Sequence, residues 1–285
     1  MPLVMGVLNV TPDSFSDGGL YLRPADAIAH GRRLIAEGAD IIDVGGESTR
    51  PRAEPVAVAE QLRRVIPVVE ALTSESRVSI DTRSAEVAEA AIAAGATLLN
   101  DVSASLHEVA AAHHEVGWVA MHMLGAPRTM QDQPHYDDVV GEVAQFLVGR
   151  AEAGRAAGVE EIWVDPGIGF GKTREHNLAL LANLDRLVGL GWPVLVGTSR
   201  KRFLGDLLAR SDAAPAPGAA PAPAPAATDA DPVPVDPVPV DDRLEGSLAT
   251  ATWAMGQGVT MIRAHDVAPT VEAALIVAGE APAWR

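Results

Sequence analysis

One short unit recurs along this chain: a helical stretch ends at a glycine, and an apolar strand follows and ends in a polar residue. Stretches such as "AEGADIIDVGG" and "AAGVEEIWVDPG" show it, and its glycines are Gly38, Gly95, Gly117, Gly158, Gly191 and Gly258. A glycine is the favoured stop after a helix, because it adopts the left-handed backbone conformation without steric cost. A strand close behind completes a βαβ unit, so the repeat predicts an α/β fold with a parallel sheet.

The number of these units favours a closed barrel. Together with "LVMGVLN" at the start and "RVSID" near residue 77, the repeat predicts eight strands, and all are continuous apolar runs. Such runs are typical of parallel strands covered on both faces. Eight βα units in about 250 residues fit a single TIM-type (β/α)8 barrel better than an open doubly wound sheet. The first strand also lacks the G-x-G-x-x-G that would indicate dinucleotide binding. We therefore predict one barrel domain over residues 1–285.

A segment rich in proline and alanine interrupts the repeat between strands 7 and 8. Residues 213–240 contain nine Pro and ten Ala in 28 residues. Proline at this density removes amide donors and prevents helix formation, so the segment is expected to be a disordered, solvated insertion. We expect its removal to change activity little, because a solvated segment makes no core contacts.

Composition excludes several classes of partner. The chain has 285 residues, is 48% hydrophobic, contains no cysteine and carries a formal net charge of −16. Such a charge repels nucleic acids and anionic membranes. The absence of cysteine suits a reducing cytosol, and no signal peptide or membrane span is evident, so a cytoplasmic location is expected. An anionic small molecule could bind only where the chain concentrates its own cations.

Almost every predicted strand ends in a polar or charged residue. Because active sites of TIM-type barrels lie at the carboxyl ends of the strands, these side chains are expected to converge on one rim. In chain order they are Asn9, Asp43 with Glu47, Asp81, Asn100 with Asp101, His122, Asp165, Ser199 to Lys201, and Arg263 with His265. Each alone could be a helix cap or a turn residue. Their shared placement predicts an active site.

Eight short stretches, which span about residues 4–267, resemble the dihydropteroate synthase family. In chain order they are "GVLNVTPDSFSDGG", "DVGGESTRP", "SIDT", "LLNDVS", "MHM", "DPGIGFGKT", "GTSRKRFLG" and "RAHDV". The resemblance implies a folate-pathway transferase that joins 6-hydroxymethyl-7,8-dihydropterin diphosphate to p-aminobenzoate and releases pyrophosphate. It further implies Mg²⁺ as cofactor, early C–O cleavage to a pterin-methylene cation, a homodimer, and a target of sulfonamides.

The strand ends suit the pterin diphosphate that this resemblance implies. Carboxylates and a carboxamide can read the N–H groups of the pterin ring, and a guanidinium with an imidazole can bind the diphosphate. The expected catalytic residues are Asp81, Asp165, Lys201, Arg263 and His265. The expected binding residues for the pterin diphosphate are Thr49, Asp81, Asn100, Asp165, Lys201, Arg263, Ala264 and His265.

Two further assignments concern the metal and the second substrate. The carboxamide oxygen of Asn9 could hold Mg²⁺ bridged to the diphosphate, because this hard ion prefers oxygen ligands. The resemblance implies mobile loops over p-aminobenzoate. The residues expected there are Phe15, Asp17, Thr49, Arg50, Pro51, Phe170 and Arg202.

Two alternative functions stay open at this point. A pterin-dependent methyltransferase domain would share the pterin carboxylates but has no use for a diphosphate clamp at Arg263 and His265. A catalytically silent pterin-binding paralogue would have lost loop or clamp residues, which are present here. The stretch "PGIGFGKT" is not a P-loop, because Pro166 stands where that motif requires glycine.

Overall fold

The structure, a computed structural model, describes residues 1–11, 24–48, 53–213 and 237–279. Parallel strands alternate with helices along the chain. Within the described ranges, no helix combines the length and the apolar character needed to cross a membrane. The elements are β1 (Leu3–Asn9), α1 (Pro24–Ala36), β2 (Ile41–Gly45), α2 (Val58–Leu72), β3 (Arg77–Asp81), α3 (Ala85–Ala93), β4 (Leu98–Asp101), α4 (His107–Ala111), β5 (Gly117–Met121), α5 (Val139–Ala157), β6 (Ile162–Asp165), α6 (Arg174–Ala182), α7 (Leu184–Val188), β7 (Leu195–Val196), α8 (Arg202–Ala213), a 3₁₀ helix (Val240–Asp242), α9 (Leu244–Gly256), β8 (Met261–Ala264) and α10 (Val267–Val277).

The eight strands close into a barrel, which confirms the predicted fold. They pair in the order β6-β5-β4-β3-β2-β1-β8-β7, and every pair is parallel. A parallel bridge between Val164 and Val194 joins β6 to the segment that leads into β7. The circle therefore closes, and all eight carboxyl ends face the same side of the molecule.

Two apolar cores hold the barrel and its helices together. The inner core fills the barrel and is formed by Met5, Ile41, Leu98, Val119, Trp163, Leu195 and Met261. The outer core lies between strands and helices, and α1 contributes one face to it. Ala27, Gly31 and Leu34 are buried on that face, and Ile28 and Ile35 pack against the same core. The helices thus cover strands whose outer side chains are apolar.

Five of the six predicted helix-stop glycines have the expected left-handed backbone, and one does not. Gly38, for example, has a φ of 99° after α1. The prediction for Gly117 is wrong, because α4 ends at Ala111 and Gly117 is the first residue of β5. A Cβ at Gly117 would lie 2.7 Å from the Glu161 carboxylate and 2.9 Å from Leu98 Cδ1. This glycine therefore serves close packing at the amino end of the barrel.

An ion pair closes that amino end of the barrel. Arg77 Nη2 lies 2.6 Å from Glu161 Oε2, and Trp163 Nε1 donates to Glu161 Oε1 at 2.7 Å. Arg77 Nη2 also donates to the carbonyl of Thr97 at 3.1 Å. The charged groups of Arg77 and Glu161 are thus satisfied by partners within the chain.

Both ends of the predicted 213–240 insertion belong to the ordered fold. Ala213 is the last residue of α8, and Val240 begins the 3₁₀ helix. The amide of Val238 donates to the carbonyl of Gly205 at 3.1 Å, and its carbonyl accepts from Arg243 Nε at 2.8 Å. The predicted boundaries are therefore too wide by one residue at the start and four at the end, and residues 214–236 lie outside the described part of the chain.

These contacts predict different outcomes for two deletions. Replacing residues 214–236 by a short Gly-Ser linker should leave the Tm within about 2 °C, because no contact described here is removed. Extending the deletion through residue 240 should lower the Tm by about 5 °C, since two hydrogen bonds of roughly 1 kcal/mol each are lost. Thermal unfolding followed by circular dichroism measures both changes. Equal Tm values for the two deletions would contradict the anchoring role of Val238.

Candidate active site

Four strands place a connected polar cluster at the carboxyl end of the barrel. Arg263 on β8 donates from Nε to Asp43 Oδ2 at 2.6 Å and from Nη2 to Asp81 Oδ2 at 2.8 Å. Asn100 Nδ2 also donates to Asp43 Oδ2, at 2.9 Å. Asp43 is fully buried, and Asp81 and Asn100 are nearly so. One guanidinium thus bridges the carboxylates of β2 and β3.

The cluster keeps acceptor capacity for a ligand. Among the described residues, Asp43 Oδ1 and Asp81 Oδ1 are buried oxygens without a hydrogen-bond partner. Burial raises the pKa of Asp81 to about 7; Arg263 opposes this rise and Asp43 adds to it. A carboxylate that is costly to ionise gains most from a ligand that brings N–H donors or positive charge.

Asp165 supplies a third carboxylate, at the end of β6. Its Oδ1 accepts from the amide of Gly167 at 2.7 Å, and its side chain is buried. Burial raises the pKa of Asp165 to about 6, and the amide of Gly167 and the ammonium of Lys201 limit the rise. The carboxyl group is therefore mainly ionised at neutral pH and is poised to accept hydrogen bonds.

Lys201 approaches the same space from the loop after β7. Arg200 precedes it with a φ of 60°, and its guanidinium forms a double hydrogen bond with Asp266. Lys201 Nζ lies 3.9 Å from the centre of the Phe170 ring. Burial and the nearby Arg263 lower the pKa of Lys201 to about 8, and Asp165 and Asp81 oppose this shift. The ammonium thus lies among the carboxylates and on an aromatic face.

His265 and Ser199 link the ends of β7 and β8. Ser199 Oγ lies 3.1 Å from His265 Nδ1 and accepts from the amide of His265 at 3.1 Å. Arg263 and His265 are two residues apart, which places both side chains on the inner side of the barrel. The intervening Ala264 packs its side chain into the outer core, so it can contribute only backbone to the site.

Asn9 belongs to a row of residues that face the barrel interior. The strand register aligns Asn9, Gly45, Asp81 and Asn100 across β1 to β4. Gly45 leaves a gap in this row: a Cβ there would lie 3.5 Å from Asn9 Oδ1 and 3.8 Å from Asp81 Oδ2. Asn9 Oδ1 therefore faces a space without a side chain, and a carboxamide oxygen is a ligand that Mg²⁺ accepts.

The structure brings together most predicted site residues that it describes. Asp81, Asn100, Asp165, Lys201, Arg263 and His265 follow the carboxyl ends of their strands, Phe170 lies on Lys201, and Arg202 is exposed at the start of α8. The predicted loop residues Phe15, Asp17, Thr49, Arg50 and Pro51 lie outside the described residues.

Sequence reasoning misses the roles of two residues of this site. Asp43 is recognisable as a strand end, but its bond to Arg263 joins positions 220 residues apart. The sequence signal for the inward position of Asp43 is that it lies two residues before Gly45, in a strand whose alternate side chains face inward. Lys172 is buried beneath the site and belongs to the stretch that only resembles a P-loop.

The comparisons with known proteins agree with this geometry. The family model for pterin binding enzymes matches residues 5–265. Dihydropteroate synthase from Escherichia coli (strain K12) is 44% identical over 284 residues, which cover 97% of this chain and 90% of that protein. This chain belongs to the dihydropteroate synthase family. Its Mycobacterium leprae relative is also 44% identical, with 96% of this chain and 92% of that protein covered.

Solved structures of the family have the same fold. The Yersinia pestis enzyme, solved with a sulfonamide drug complex, is 41% identical with a TM-score of 0.82, and 98% of this chain and 94% of that chain are covered. The Xanthomonas albilineans enzyme, solved in complex with 7,8-dihydropteroate, is 40% identical with a TM-score of 0.77, at 98% and 93% coverage. The barrel of this chain therefore matches that of dihydropteroate synthases.

The raised pKa of Asp165 predicts that ionisation of this carboxyl group lowers the free energy of unfolding. Its folded pKa of about 6 exceeds the ordinary aspartate value of 3.8, so ionisation disfavours the folded state. Asp165→Asn keeps the oxygen that accepts from Gly167 and removes the charge. The variant should gain about 3 kcal/mol in free energy of unfolding at pH 8. The gain should shrink as the pH falls from 6 to 4, where the wild-type carboxyl group is protonated.

Urea unfolding at several pH values measures this difference. Asp132→Asn, at an exposed loop position, is the matched control and should change stability by less than about 0.5 kcal/mol. A stability gain for Asp165→Asn that is the same at pH 4 and pH 8 would exclude ionisation as its cause.

Proposed function

We propose that this protein is a dihydropteroate synthase, which condenses 6-hydroxymethyl-7,8-dihydropterin diphosphate with p-aminobenzoate to give 7,8-dihydropteroate and pyrophosphate. The observation that carries the proposal is the gathering of two carboxylates, a carboxamide, an ammonium and a guanidinium at one end of the barrel. These groups belong to Asp81, Asp165, Asn100, Lys201 and Arg263. The match to dihydropteroate synthases over nearly the whole chain supports it.

The pterin ring is recognised by its polar edge. Asp165 accepts from neighbouring N–H groups of the ring, and Asn100 offers both a donor and an acceptor. Lys201 donates to the ring carbonyl, and its distance of 3.9 Å from the Phe170 ring centre keeps it beside an aromatic wall. A buried carboxylate that accepts two N–H groups binds strongly, because little water competes for it.

The carboxylates also stabilise the charge that develops during reaction. When the bond between the methylene carbon and the diphosphate oxygen breaks, its electron pair leaves with the diphosphate. The pterin-methylene group becomes positive, and the carboxylate of Asp165 and the ionised form of Asp81 stabilise it. The amino nitrogen of p-aminobenzoate then forms the new C–N bond and releases one proton. Phe170 and Arg202 border the space for this second substrate.

Arg263 and His265 hold the departing diphosphate. The two hydrogen bonds of Arg263 to Asp43 and Asp81 use two of its five N–H donors, which leaves donors for phosphate oxygens. His265 adds a further donor near Ser199. The guanidinium of Arg263 supplies the local positive charge that a chain of net charge −16 needs in order to bind an anion.

Asn9 is the residue that would hold Mg²⁺. Within the described residues no group of three or more His, Cys, Asp or Glu side chains could hold a metal. A single carboxamide oxygen fits an ion that keeps several waters and takes its other ligands from phosphate. When bound, Mg²⁺ supplies charge neutralisation on the diphosphate.

The proposed working form is a cytoplasmic homodimer. Leu178 on α6 and Trp253 on α9 are large exposed apolar side chains, at 40% and 51% exposure. Trp253 Nε1 donates to the carbonyl of Leu181, so the two helices lie side by side and present one apolar surface. Sedimentation of the full chain tests the dimer.

The alternative functions fit less well. A methyltransferase domain would not need cations beside the pterin carboxylates, yet Arg263 is bonded to both Asp43 and Asp81. A silent paralogue would bind pterin without turnover. Purified full-length protein, Mg²⁺, pterin diphosphate and p-aminobenzoate should yield dihydropteroate, and omission of either substrate should abolish it. Pterin binding without product would favour the silent paralogue.

Two substitutions test the assigned roles. Lys201→Ala and Arg263→Ala should each lower kcat/KM at least about a hundredfold, because each removes a charge that acts at the reacting centre. Far-ultraviolet circular dichroism should show an unchanged fold for Lys201→Ala, whereas Arg263→Ala should also lower the Tm, because it leaves Asp43 and Asp81 buried without their cation. Arg186→Ala, on the exposed face of α7, is the matched control and should retain full activity. Turnover near the wild-type rate in either site variant would refute its role.

Removal of Mg²⁺ tests the placement at Asn9. Chelation should weaken binding of the pterin diphosphate far more than binding of a free pterin, because only the diphosphate shares the ion. Asn9→Ala should reduce this difference between the two ligands. Isothermal titration calorimetry with and without Mg²⁺ measures both affinities. Equal effects of chelation on the two ligands would contradict the assignment.

A further inference from the structure

The loop between β6 and α6, residues 166–173, has its backbone oxygens bound by side chains. Gln131 Nε2 donates to the carbonyl of Gly169 at 2.8 Å, and Tyr136 Oη donates to that of Gly171 at 2.9 Å. The amide of Gly169 donates to Asn177 Oδ1 at 2.7 Å. A loop held this way has one defined backbone conformation.

The same loop lies directly against the backbone that follows β5. Gly167 and Gly171 have φ values of 63° and 61°. A Cβ at Gly167 would lie 1.9 Å from the carbonyl oxygen of His122, and one at Gly171 would lie 2.5 Å from that of Leu124. Only glycine fits at both positions. The close approach of the two backbone segments brings several carbonyl oxygens together, and none of these groups carries a positive charge.

The ammonium of Lys172 lies among the backbone carbonyl oxygens of these two segments. Its Nζ contacts the carbonyl oxygens of Gly167 and Phe170 at 3.0 Å each, and that of His122 at 3.3 Å. It also lies 2.9 Å from His122 Nδ1. Lys172 is 2% exposed, and no ion pair of this side chain occurs among the described residues. Its partners are thus neutral acceptors.

The imidazole of His122 is an acceptor in this arrangement. Burial, with a smaller contribution from Lys172, lowers the pKa of His122 to about 3. Burial likewise lowers the pKa of Lys172 to about 7, and Asp165 opposes the shift. A neutral His122 with its proton on Nε2 offers the Nδ1 lone pair to the ammonium.

The loop that Lys172 holds lies on the side chain of Lys201. A Cβ at Gly169 would be 3.2 Å from Lys201 Cδ, and the Phe170 ring centre is 3.9 Å from Lys201 Nζ. Lys172 binds the carbonyl of Phe170 itself. A shift of the loop would therefore move the aromatic ring away from the ammonium of Lys201.

The composition of the chain singles out these two side chains. Of its 22 basic residues, 20 are arginine, and Lys172 and Lys201 are the only lysines. A guanidinium is a flat fork suited to carboxylates, whereas an ammonium is a compact charge that can donate in three directions. Carbonyl oxygens that converge from two loops require the compact ammonium, which can donate in three directions.

We propose that Lys172 is a positioning residue of the pterin site: its ammonium, bound by three backbone carbonyls and His122, fixes the loop after β6 and so holds Phe170 against Lys201. Lys172 does not contact substrate, because its donors are used inside the protein. The consequence for binding rests on the proposed function. The effect on Phe170 and Lys201 does not.

The absence of cysteine allows a matched pair of side chains at this position. In Lys172→Cys the new thiol is unique, so alkylation in denaturant followed by refolding modifies one site. Alkylation with 2-bromoethylamine gives a thioether analogue of lysine that restores the ammonium. Alkylation with 1-bromopropane gives a side chain of the same length that ends in a methyl group. Wild-type protein taken through the same steps is the control.

Nuclear magnetic resonance of these proteins measures the position of Phe170. With lysine labelled at Cε, each alkylated derivative of Lys172→Cys shows one lysine signal, that of Lys201, because lysine occurs nowhere else. The Phe170 ring should shift the Lys201 Hε protons upfield, and Phe170→Leu should abolish this shift. We expect the ammonium derivative to keep the shift and the propyl derivative to lose most of it.

Calorimetry with 6-hydroxymethylpterin gives an independent readout that needs no turnover. The propyl derivative should bind it at least about tenfold more weakly than the ammonium derivative. Equal Lys201 shifts and equal pterin affinities in two folded derivatives would overturn the proposal, even if their Tm values differ. If wild-type protein binds no pterin but the Lys201 shifts still differ, positioning stands and the proposed function fails.

Discussion

The site depends on one guanidinium that is shared by two buried carboxylates. Arg263 lies 2.6 Å from Asp43 and 2.8 Å from Asp81, and these residues come from three different strands. Burying two carboxylates without a cation would cost several kcal/mol each. One arginine compensates both only in part, which is why the pKa of Asp81 rises to about 7. The pterin-methylene cation of the proposed reaction would favour the ionised form of Asp81.

The order of the strands sets this arrangement, because β8, β1, β2 and β3 are consecutive neighbours in the sheet. Asp43 lies on β2, Asp81 lies on β3, and Arg263 lies on β8. Between β8 and β2 lies β1, whose Met5 pairs with Arg263. In an open sheet with the same strands, β6 and β7 would be the two opposite edges. The bridge between Val164 and Val194 completes the circle. Closure then brings Asp165 of β6 and the loop after β7 to the same rim.

The sequence predicts the fold and the rim well because both follow from local patterns. Apolar runs, helix-stop glycines and polar strand ends each occupy a few residues, and the structure confirms the barrel. Gly117 shows the limit, since its role is close packing against Glu161 and Leu98, which no local pattern indicates. The same holds for the contact of Asp43 with Arg263, and the amide of Val238 that ends the proline-rich segment bonds to a carbonyl 33 residues earlier in the chain.

The chemistry of the partner groups explains why arginine occurs at position 263 and lysine at positions 172 and 201. At Arg263 the partners are two carboxylates, and a planar fork with many donors can bridge them while staying charged. At Lys172 the partners are carbonyl oxygens and a neutral imidazole. At Lys201 the ammonium lies over an aromatic ring and near Asp165, and its pKa of about 8 leaves it close to losing its proton. A guanidinium would stay charged whatever its surroundings, so only lysine lets the loops that bury it adjust its charge.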